Sequence, residues 1–582
     1  MIRRKFEPTD EQRAVIACEG SAFVAACPGA GKTGVMIERA RRLSYDMPPG
    51  RGMAFLSFTQ AAVFELDTRL RLEGLLPTPV FPSFIGTFDS FVWKFLVAPF
   101  GLGDCLARPR LIADIAQLAV QPFNGAHSLP LSCFCPRTGA ILELAAKRKG
   151  FDVSQKQNFE VQAYTTAANR LRAGLREQGH LGFDEARAIA LERVKDQVLA
   201  GRIARALTGR FCEVIVDEAQ DCNPDDLAII SWMRASGLSV KVVCDPHQSI
   251  YEFRGGVTDH LFAFANTFSA DQRKQLTGNF RSSPNICKAT TQFRQSAVRG
   301  VPDEALGQLK DVTAPVQILS YAEQGVPASI GRAFCEMLRD TGLDVSKAPI
   351  VAATRASGAA AAGQPRPAGS SHRTIRLAEA VTDFQFASGF NDMKVAIEAV
   401  HKILLELDGQ LGERSYHQYI TENDVEPANW RSRVISVIRV LRYDQAIHVD
   451  ARGWHAAAKD VLGRELKASG GRSISQMLRW NAGLATVLTM VPSATAMPRT
   501  IHSVKGMEYP AVCVVTTTST LKGILDYLEN GEPKDRGEDA RKLYVAATRA
   551  EKLLVIAAPR SQAQRLRDHL SKQGASVSIR KI

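Results

Sequence analysis

No stretch of this 582-residue chain approaches the ~20 consecutive apolar residues that cross a bilayer as a helix, so no membrane span is expected. The first residues, Met1-Ile2-Arg3-Arg4-Lys5, are followed by no apolar segment, which argues against a secretory leader. The eleven cysteines lack the paired spacing of a disulfide framework or a zinc site. Cys18, Cys27, Cys212 and Cys244 instead lie in or beside apolar runs, as reduced buried thiols do, which points to the cytoplasm. Cys133-Phe134-Cys135, with His127 nearby, has no second pair and reads as a buried or loop segment. No repeat of fixed period is present, which argues against solenoids and propellers. Acidic residues are outnumbered, 60 against 73 Lys and Arg, and the net charge of +13 favours a polyanionic partner, nucleic acid first.

What is present is enough apolar residue, 45%, for several cores, and the length suggests about four domains or subdomains. Apolar runs that read as strands leading into turns or helices occur at Ala22 to Ala25, Gly52 to Phe58, Phe84 to Phe95, Glu213 to Asp217 and Ser239 to Asp245. A second such set begins at Val316 to Leu319 and Pro349 to Ala353 and resumes at Ala511 to Thr516 and Leu553 to Ala557. Between the strands lie long stretches of helical periodicity. The expected architecture is α/β, with two parallel-sheet cores each interrupted by a mainly helical insertion. Its boundaries are 1–96 and 208–284 for the first core, 97–207 for its insertion, 285–370 and 492–582 for the second core, and 371–491 for its insertion. Ala356 to Ser371, rich in Ala, Gly, Pro and Ser, is the best linker candidate.

The segment Ala26-Cys27-Pro28-Gly29-Ala30-Gly31-Lys32-Thr33 sits between an apolar run and an amphipathic stretch, where a phosphate loop belongs. In that geometry the backbone N–H groups of Pro28 to Thr33, proline excepted, and the helix N-terminus face phosphates. Lys32 reaches the β/γ oxygens and the Thr33 hydroxyl ligates Mg²⁺. Ala26 stands where the first glycine is usual. Downstream, Glu213-Val214-Ile215-Val216-Asp217-Glu218 is an apolar run ending in two acids at the carboxyl edge of a sheet. Asp217 is then placed to hold Mg²⁺, and Glu218 to orient and deprotonate the attacking water. Together these imply hydrolysis of a nucleoside triphosphate, with ATP and Mg²⁺ as cofactors.

These motifs and several more resemble the UvrD/Rep family of superfamily 1 DNA helicases, from Pro8 to about Ile556. The resemblance implies two RecA-like cores and the following roles. Gln12, in Thr9-Asp10-Glu11-Gln12, reads the adenine edge. Phe58 and Thr59, ahead of Glu65 and Arg69, lie against single-stranded DNA, as do Thr87 and Phe88 of Gly86-Thr87-Phe88-Asp89. In the segment Asp245 to Gly256, Gln248 senses the γ-phosphate, while Tyr251, Phe253 and Arg254 link it to stacked bases. Asn279-Phe280-Arg281 supplies adenine stacking by Phe280 and a γ-phosphate contact by Arg281. In Thr500 to Pro510, His502 lies near DNA and Glu508 near the ribose, and Arg549 is an arginine finger from the second core. Catalysis would thus fall to Glu218, Gln248, Arg281 and Arg549. Each aromatic among these also fits a core position, and His247 fits a surface position without a catalytic part.

Three departures from the family pattern stand out. Gly34 follows Thr33 where relatives carry an arginine near the base, which leaves stacking largely to Phe280 and relaxes selectivity. Cys244 replaces a glycine before Asp245. The insertion from Ser371 to Val491 is short, and 33 residues follow Arg549, leaving little room for a C-terminal partner domain. No clustered acids with a following lysine mark a nuclease. The resemblance implies an ATP-dependent translocase and helicase on single-stranded or tailed duplex DNA, moving 3′ to 5′, in DNA repair, recombination or anti-phage defence. The alternative is a DNA-sensing regulatory ATPase beside a separate nuclease subunit, and RNA is a third option for the strand.

Overall fold

The computed structural model describes residues 6–76, 78–103, 106–250, 258–295, 299–322, 325–363, 372–387, 390–411, 416, 419–420, 423, 425–466, 473–489 and 496–582. The chain divides into two compact units, one of Met1–Leu106, Asp184–Gln364 and Ser493–Ile582, the other of Ala107–Phe183 and Pro365–Pro492.

The first unit contains two six-stranded sheets, parallel throughout. Strands β1 (Ala22–Ala26), β2 (Gly52–Ser57), β3 (Phe84–Thr87), β4 (Phe211–Val216), β5 (Ser239–Cys244) and β6 (Arg273–Leu276) lie in the order β6-β1-β5-β4-β2-β3. Strands β7 (Val316–Tyr321), β8 (Ile350–Ala352), β9 (Pro498–Thr500), β10 (Tyr509–Val515), β11 (Ala550–Pro559) and β12 (Val577–Lys581) lie in the order β9-β8-β10-β11-β7-β12. The central strands are apolar almost without a break because helices cover both faces, so side chains on either face are buried. β2 is buried along its whole length, and Ile350, Val351 and Ala352 are fully buried. This is the expected α/β architecture with two RecA-like cores.

Three strands escape the apolar-run reading: Arg273–Leu276, Pro498–Thr500 and Val577–Lys581. Each is the outermost strand of its sheet. An edge strand pairs on one side only and tolerates charge and proline, so its sequence carries no apolar run.

The second unit has a separate apolar cluster for each of its segments, one around Leu129, Phe134, Phe151 and Tyr164, the other around Leu377, Val400, Trp454 and Leu462. The first segment is less helical than its composition suggests. Before the helix Asn158–Glu177 it is built of two-residue strands, short turns and one six-residue helix, Glu143–Arg148. Pro109, Pro122, Pro130 and Pro136 interrupt any longer helix there. The helices Phe183–Lys195 and Gln197–Arg210, given to the insertion on periodicity, lie almost entirely within the unit that holds the sheets. Arg187 and Arg193 explain why. The buried Arg187 donates to Asp226 at 2.6 Å and to Asp89 at 2.5 Å, and Arg193 donates to the carbonyls of Leu96 at 2.7 Å and Val97 at 2.6 Å. The linker candidate is helical over its first residues, within Arg355–Ala361, where Ala359 and Ala361 are buried, and the boundary between units, Gln364 to Pro365, falls inside the candidate. Among the described residues no helix is long and apolar enough to cross a membrane.

Candidate active site

The strand order sets the site. Going along the carboxyl edge of the first sheet, the loop after β6 carries Asn279 to Arg281, that after β1 the phosphate loop, that after β5 Asp245 to Gln248, and that after β4 Asp217 and Glu218. The loops after β2 and β3 carry Phe58, Thr59, Thr87 and Phe88. Register keeps these neighbours level: Ala25 pairs with Cys244, Leu56 with Val216, and Ser57 with Thr87.

Ala26 is the last residue of β1, 3% exposed, and an extended position needs no glycine. The glycines that matter come next. Gly29 and Gly31 have φ of 71° and 73°, and a Cβ on Gly29 would meet Arg281 Cβ at 2.6 Å and Asn279 Oδ1 at 2.7 Å. Helix α1 (Asp10–Ala17) precedes β1 and α2 (Lys32–Asp46) follows the loop. At α2 the N-cap is Gly31, with no side-chain cap among the described residues, so the first-turn N–H groups are left for an anion. Phe280 N–H donates to Gly29 O at 2.9 Å. The exposed Phe280 ring and the Gln12 amide both flank Gly31, Gln12 Nε2 donating to Ala30 O at 3.0 Å. Gln12 also closes the capping box of α1 and is 2% exposed, so it braces the loop as well as bordering the base position. Gly34 has its own explanation: a Cβ there would meet the Phe6 ring at 2.9 Å.

Lys32 Nζ lies 3.6 Å from Glu218 Oε1. Burial opposes the lysine's charge, but Glu218, Asp217 and Asp245 outweigh it and raise its pKa. Burial and then the neighbouring Glu218 push Asp217 up. Glu218 goes the other way: burial resists its ionisation, but Lys32, then Lys505, Gln220 and Arg549, hold it down. The surroundings thus push these two adjacent carboxyl groups in opposite directions. Glu218 has φ of 57°, in the left-handed region, a strain of order 1–3 kcal/mol that aims its side chain at Lys32. Asp217 Oδ1 is buried without a hydrogen-bond partner among the described residues, and its lone pairs suit a divalent cation.

Gln248 is buried, donating through Nε2 to Asp245 Oδ2 at 2.8 Å and accepting at Oε1 from Arg549 Nη2 at 3.0 Å. This contact joins the first sheet's loops to the second core. Burial, then the like charge of Arg281, lowers Arg549 to about 10. Arg281 itself donates through Nε to Glu508 Oε1 at 2.8 Å and through Nη1 to Thr548 O at 3.0 Å. The residues expected at the γ-phosphate and the ribose therefore hold each other.

Phe58 is half-buried and stacks on Phe88, centroids 5.4 Å apart at 14°. Phe88 is 1% exposed. It supports Phe58 from beneath and presents no face to a base, which corrects the expectation of a direct contact. Thr59 and Thr87 are helix N-caps, accepting from Ala62 N–H at 3.2 Å and Ser90 N–H at 3.1 Å. His502 is exposed. Tyr251, Phe253 and Arg254 lie outside the described residues. His247 is half-buried: its surroundings push its imidazole down to about 4, and its ring meets Tyr544 edge-on at 6.0 Å.

Sequence reasoning gave several residues no role. Gln220 Oε1 accepts from Asp245 N–H at 3.1 Å while its Nε2 donates to Glu218, tying β4 to β5. Lys505 Nζ bridges the buried Asp221 carboxylate at 2.6 and 2.7 Å. Both lie within motifs that drew attention to other positions.

The chain matches the UvrD/REP helicase N-terminal domain over residues 8–269 and the UvrD-like helicase C-terminal domain over residues 497–561. It is 25% identical over 324 residues to a putative ATP-dependent DNA helicase, YjcD, of Bacillus subtilis, covering 54% of this chain and 42% of that protein. It is 28% identical over 301 residues to DNA helicase II of Escherichia coli, covering 48% and 39%. It is 24% identical over 302 residues to the ATP-dependent DNA helicase PcrA of Staphylococcus epidermidis, covering 49% and 39%. The matched region is thus about two-fifths of each relative's length. Sheet order, the groups gathered on one sheet edge and the two domain matches agree, and the chain belongs to the UvrD/Rep helicase family.

Proposed function

We propose that this protein is an ATP-dependent translocase and helicase on single-stranded or tailed duplex DNA, moving 3′ to 5′ in the cytoplasm and serving DNA repair, recombination or defence. One observation carries the reading. A single sheet edge presents Lys32, Asp217, Glu218 and Gln248 at its centre and Phe58, Thr59 and Thr87 at its β2–β3 end, with Arg549 of the second core touching Gln248.

Hydrolysis spreads charge over the γ-phosphoryl oxygens, and cations on both walls of a closed cleft stabilise it. Lys32 takes the β/γ oxygens, Arg281 approaches from the loop after β6 and Arg549 from the second core, and Glu218 accepts the water proton once Lys32 has turned to phosphate. Thr33 and Asp217 would hold Mg²⁺, which when bound neutralises phosphate charge. Loss of the γ-phosphate removes the anion that Arg549 shares with Lys32 and Arg281, so the cores separate. Stacking on Phe58 and phosphate contacts then convert closing and opening into steps that do not depend on base sequence.

The test is ATP turnover by the purified chain with single-stranded DNA, duplex DNA or RNA, followed by unwinding of duplexes with 3′ or 5′ tails. Stimulation by single-stranded DNA and unwinding of the 3′-tailed duplex are expected. Turnover indifferent to DNA would overturn the proposal, and greater stimulation by RNA would change its substrate. DNA-stimulated turnover without unwinding until a nuclease chain is added would establish the regulatory alternative.

A further inference from the structure

We propose that Tyr544, oriented by Arg294, is a positioning residue for nucleotide hydrolysis, acting through Asp245 on the Gln248 amide that meets Arg549. The inference rests on the ATPase reading above and extends it to residues that touch neither nucleotide nor DNA in that reading.

Arg294, Asp303 and Tyr544 are all buried. Arg294 Nη2 pairs with Asp303 Oδ2 at 2.5 Å, which anchors the guanidinium. The same guanidinium donates to Tyr544 Oη twice, from Nη2 at 2.9 Å and from Nε at 3.3 Å. A phenol oxygen has two lone pairs and one proton. With both lone pairs facing Arg294, the proton is turned away from it, and Asp245 Oδ2 lies 3.4 Å from the oxygen. That carboxylate oxygen also accepts from Gln248 Nε2 at 2.8 Å, while Asp245 Oδ1 accepts from His247 N–H at 3.0 Å.

The consequence falls on the Gln248 amide, which has two orientations with different chemistry. If Nε2 faces Asp245, Oε1 faces Arg549 Nη2, as observed at 3.0 Å. If the amide flipped, its oxygen would face the Asp245 carboxylate oxygen and two donors would meet at Arg549, both repulsive in a low-dielectric interior. Asp245 therefore selects the orientation, and Tyr544 with Arg294 holds that carboxylate in place. Tyr544 and Arg549 lie five positions apart in one segment, so one end of it steadies the first core's loop while the other end engages it.

The experiment measures steady-state ATP turnover with saturating single-stranded DNA, together with thermal stability, for the parent chain, Tyr544→Phe, Arg294→Lys, Gln248→Ala and the double variant Gln248→Ala/Tyr544→Phe. Tyr544→Phe keeps the ring and loses the hydroxyl. We expect kcat to fall roughly tenfold or more while KM for ATP changes less than about twofold, as misplacement of a catalytic group predicts. Arg294→Lys should show the same split, since one ammonium cannot serve Asp303 and both lone pairs of the phenol. In the Gln248→Ala background, Tyr544→Phe should add less than about a twofold loss, because its route is already cut. Unchanged kcat in both single variants, loss of stability without loss of kcat, or multiplied losses in the double variant would overturn the proposal. A parent chain without DNA-stimulated turnover would refute the ATPase reading instead, so the two failures are distinguishable.

Discussion

Lys32 Nζ and Glu218 Oε1 stand 3.6 Å apart, so the cation meant for phosphate and the carboxylate meant for water neutralise each other before nucleotide arrives. Lys32→Ala should abolish nucleotide binding or turnover. Glu218→Gln should retain binding, tightened because Lys32 has lost its competitor, and lose turnover by on the order of 10²-fold or more. Nucleotide titration and turnover on both variants check this, and a fully active Glu218→Gln enzyme would remove Glu218 from the mechanism.

Arg281→Ala and Arg549→Ala should each lower turnover by on the order of 10³-fold with smaller effects on nucleotide affinity, since both charges act mainly on the transition state. Their surroundings separate them in a second measurement. Arg549 is 2% exposed and joined to Gln248, whereas Arg281 holds the exposed Glu508. Arg549→Ala should therefore also lower thermal stability more than Arg281→Ala does.

The stacked pair Phe58 and Phe88 allows a test of which ring meets DNA. Phe58→Ala should weaken single-stranded DNA binding by ~1–3 kcal/mol with little effect on stability. Phe88→Ala should instead destabilise the fold by ~3–5 kcal/mol, as loss of a fully buried phenyl does. Equilibrium binding across a salt series, beside denaturation, distinguishes the two. Affinity of the parent chain should fall as salt rises, because phosphate contacts release counterions.

His247 makes stability depend on pH. Burial, opposed by Asp245 and reinforced by Arg294, brings its pKa from 6.5 down to about 4. Between those values the unfolded chain binds the proton and the folded chain does not, so this contribution is lost as pH falls through the window. The loss is at most about 3 kcal/mol. Denaturation curves of the parent and His247→Gln at pH 4 to 7 should differ in slope, the parent losing more stability toward acid; parallel curves would show that His247 is not enclosed.

Much of the nucleotide site was legible because its chemistry is local. A phosphate loop needs its glycines, lysine and threonine within eight positions, and two acids after an apolar run mark a strand end whatever surrounds them. The second core's Arg549 was legible only through resemblance, since nothing in one segment reports what faces it across a cleft. Arg294 and Asp303 were invisible for the same reason: a buried ion pair nine positions apart looks like two ordinary surface charges. Phe88 was misread because burial, unlike residue type, is decided by what stacks on top. Three of the four edge strands were missed because only half of an edge strand's surroundings are protein.

Strand order has a further consequence, for synthesis. β2 and β3 are neighbours in space and in sequence, but β1 pairs with β5 and β6 and with neither β2 nor β3. As the chain leaves the ribosome, Ala-Phe-Val-Ala-Ala of β1 and the apolar stripe of α2 have no strand to pair with until Ser239–Cys244 has been made. Until that strand is made the nascent chain carries an unpaired apolar strand, and its yield in the cell should respond to chaperone supply and elongation rate more than its final stability would suggest.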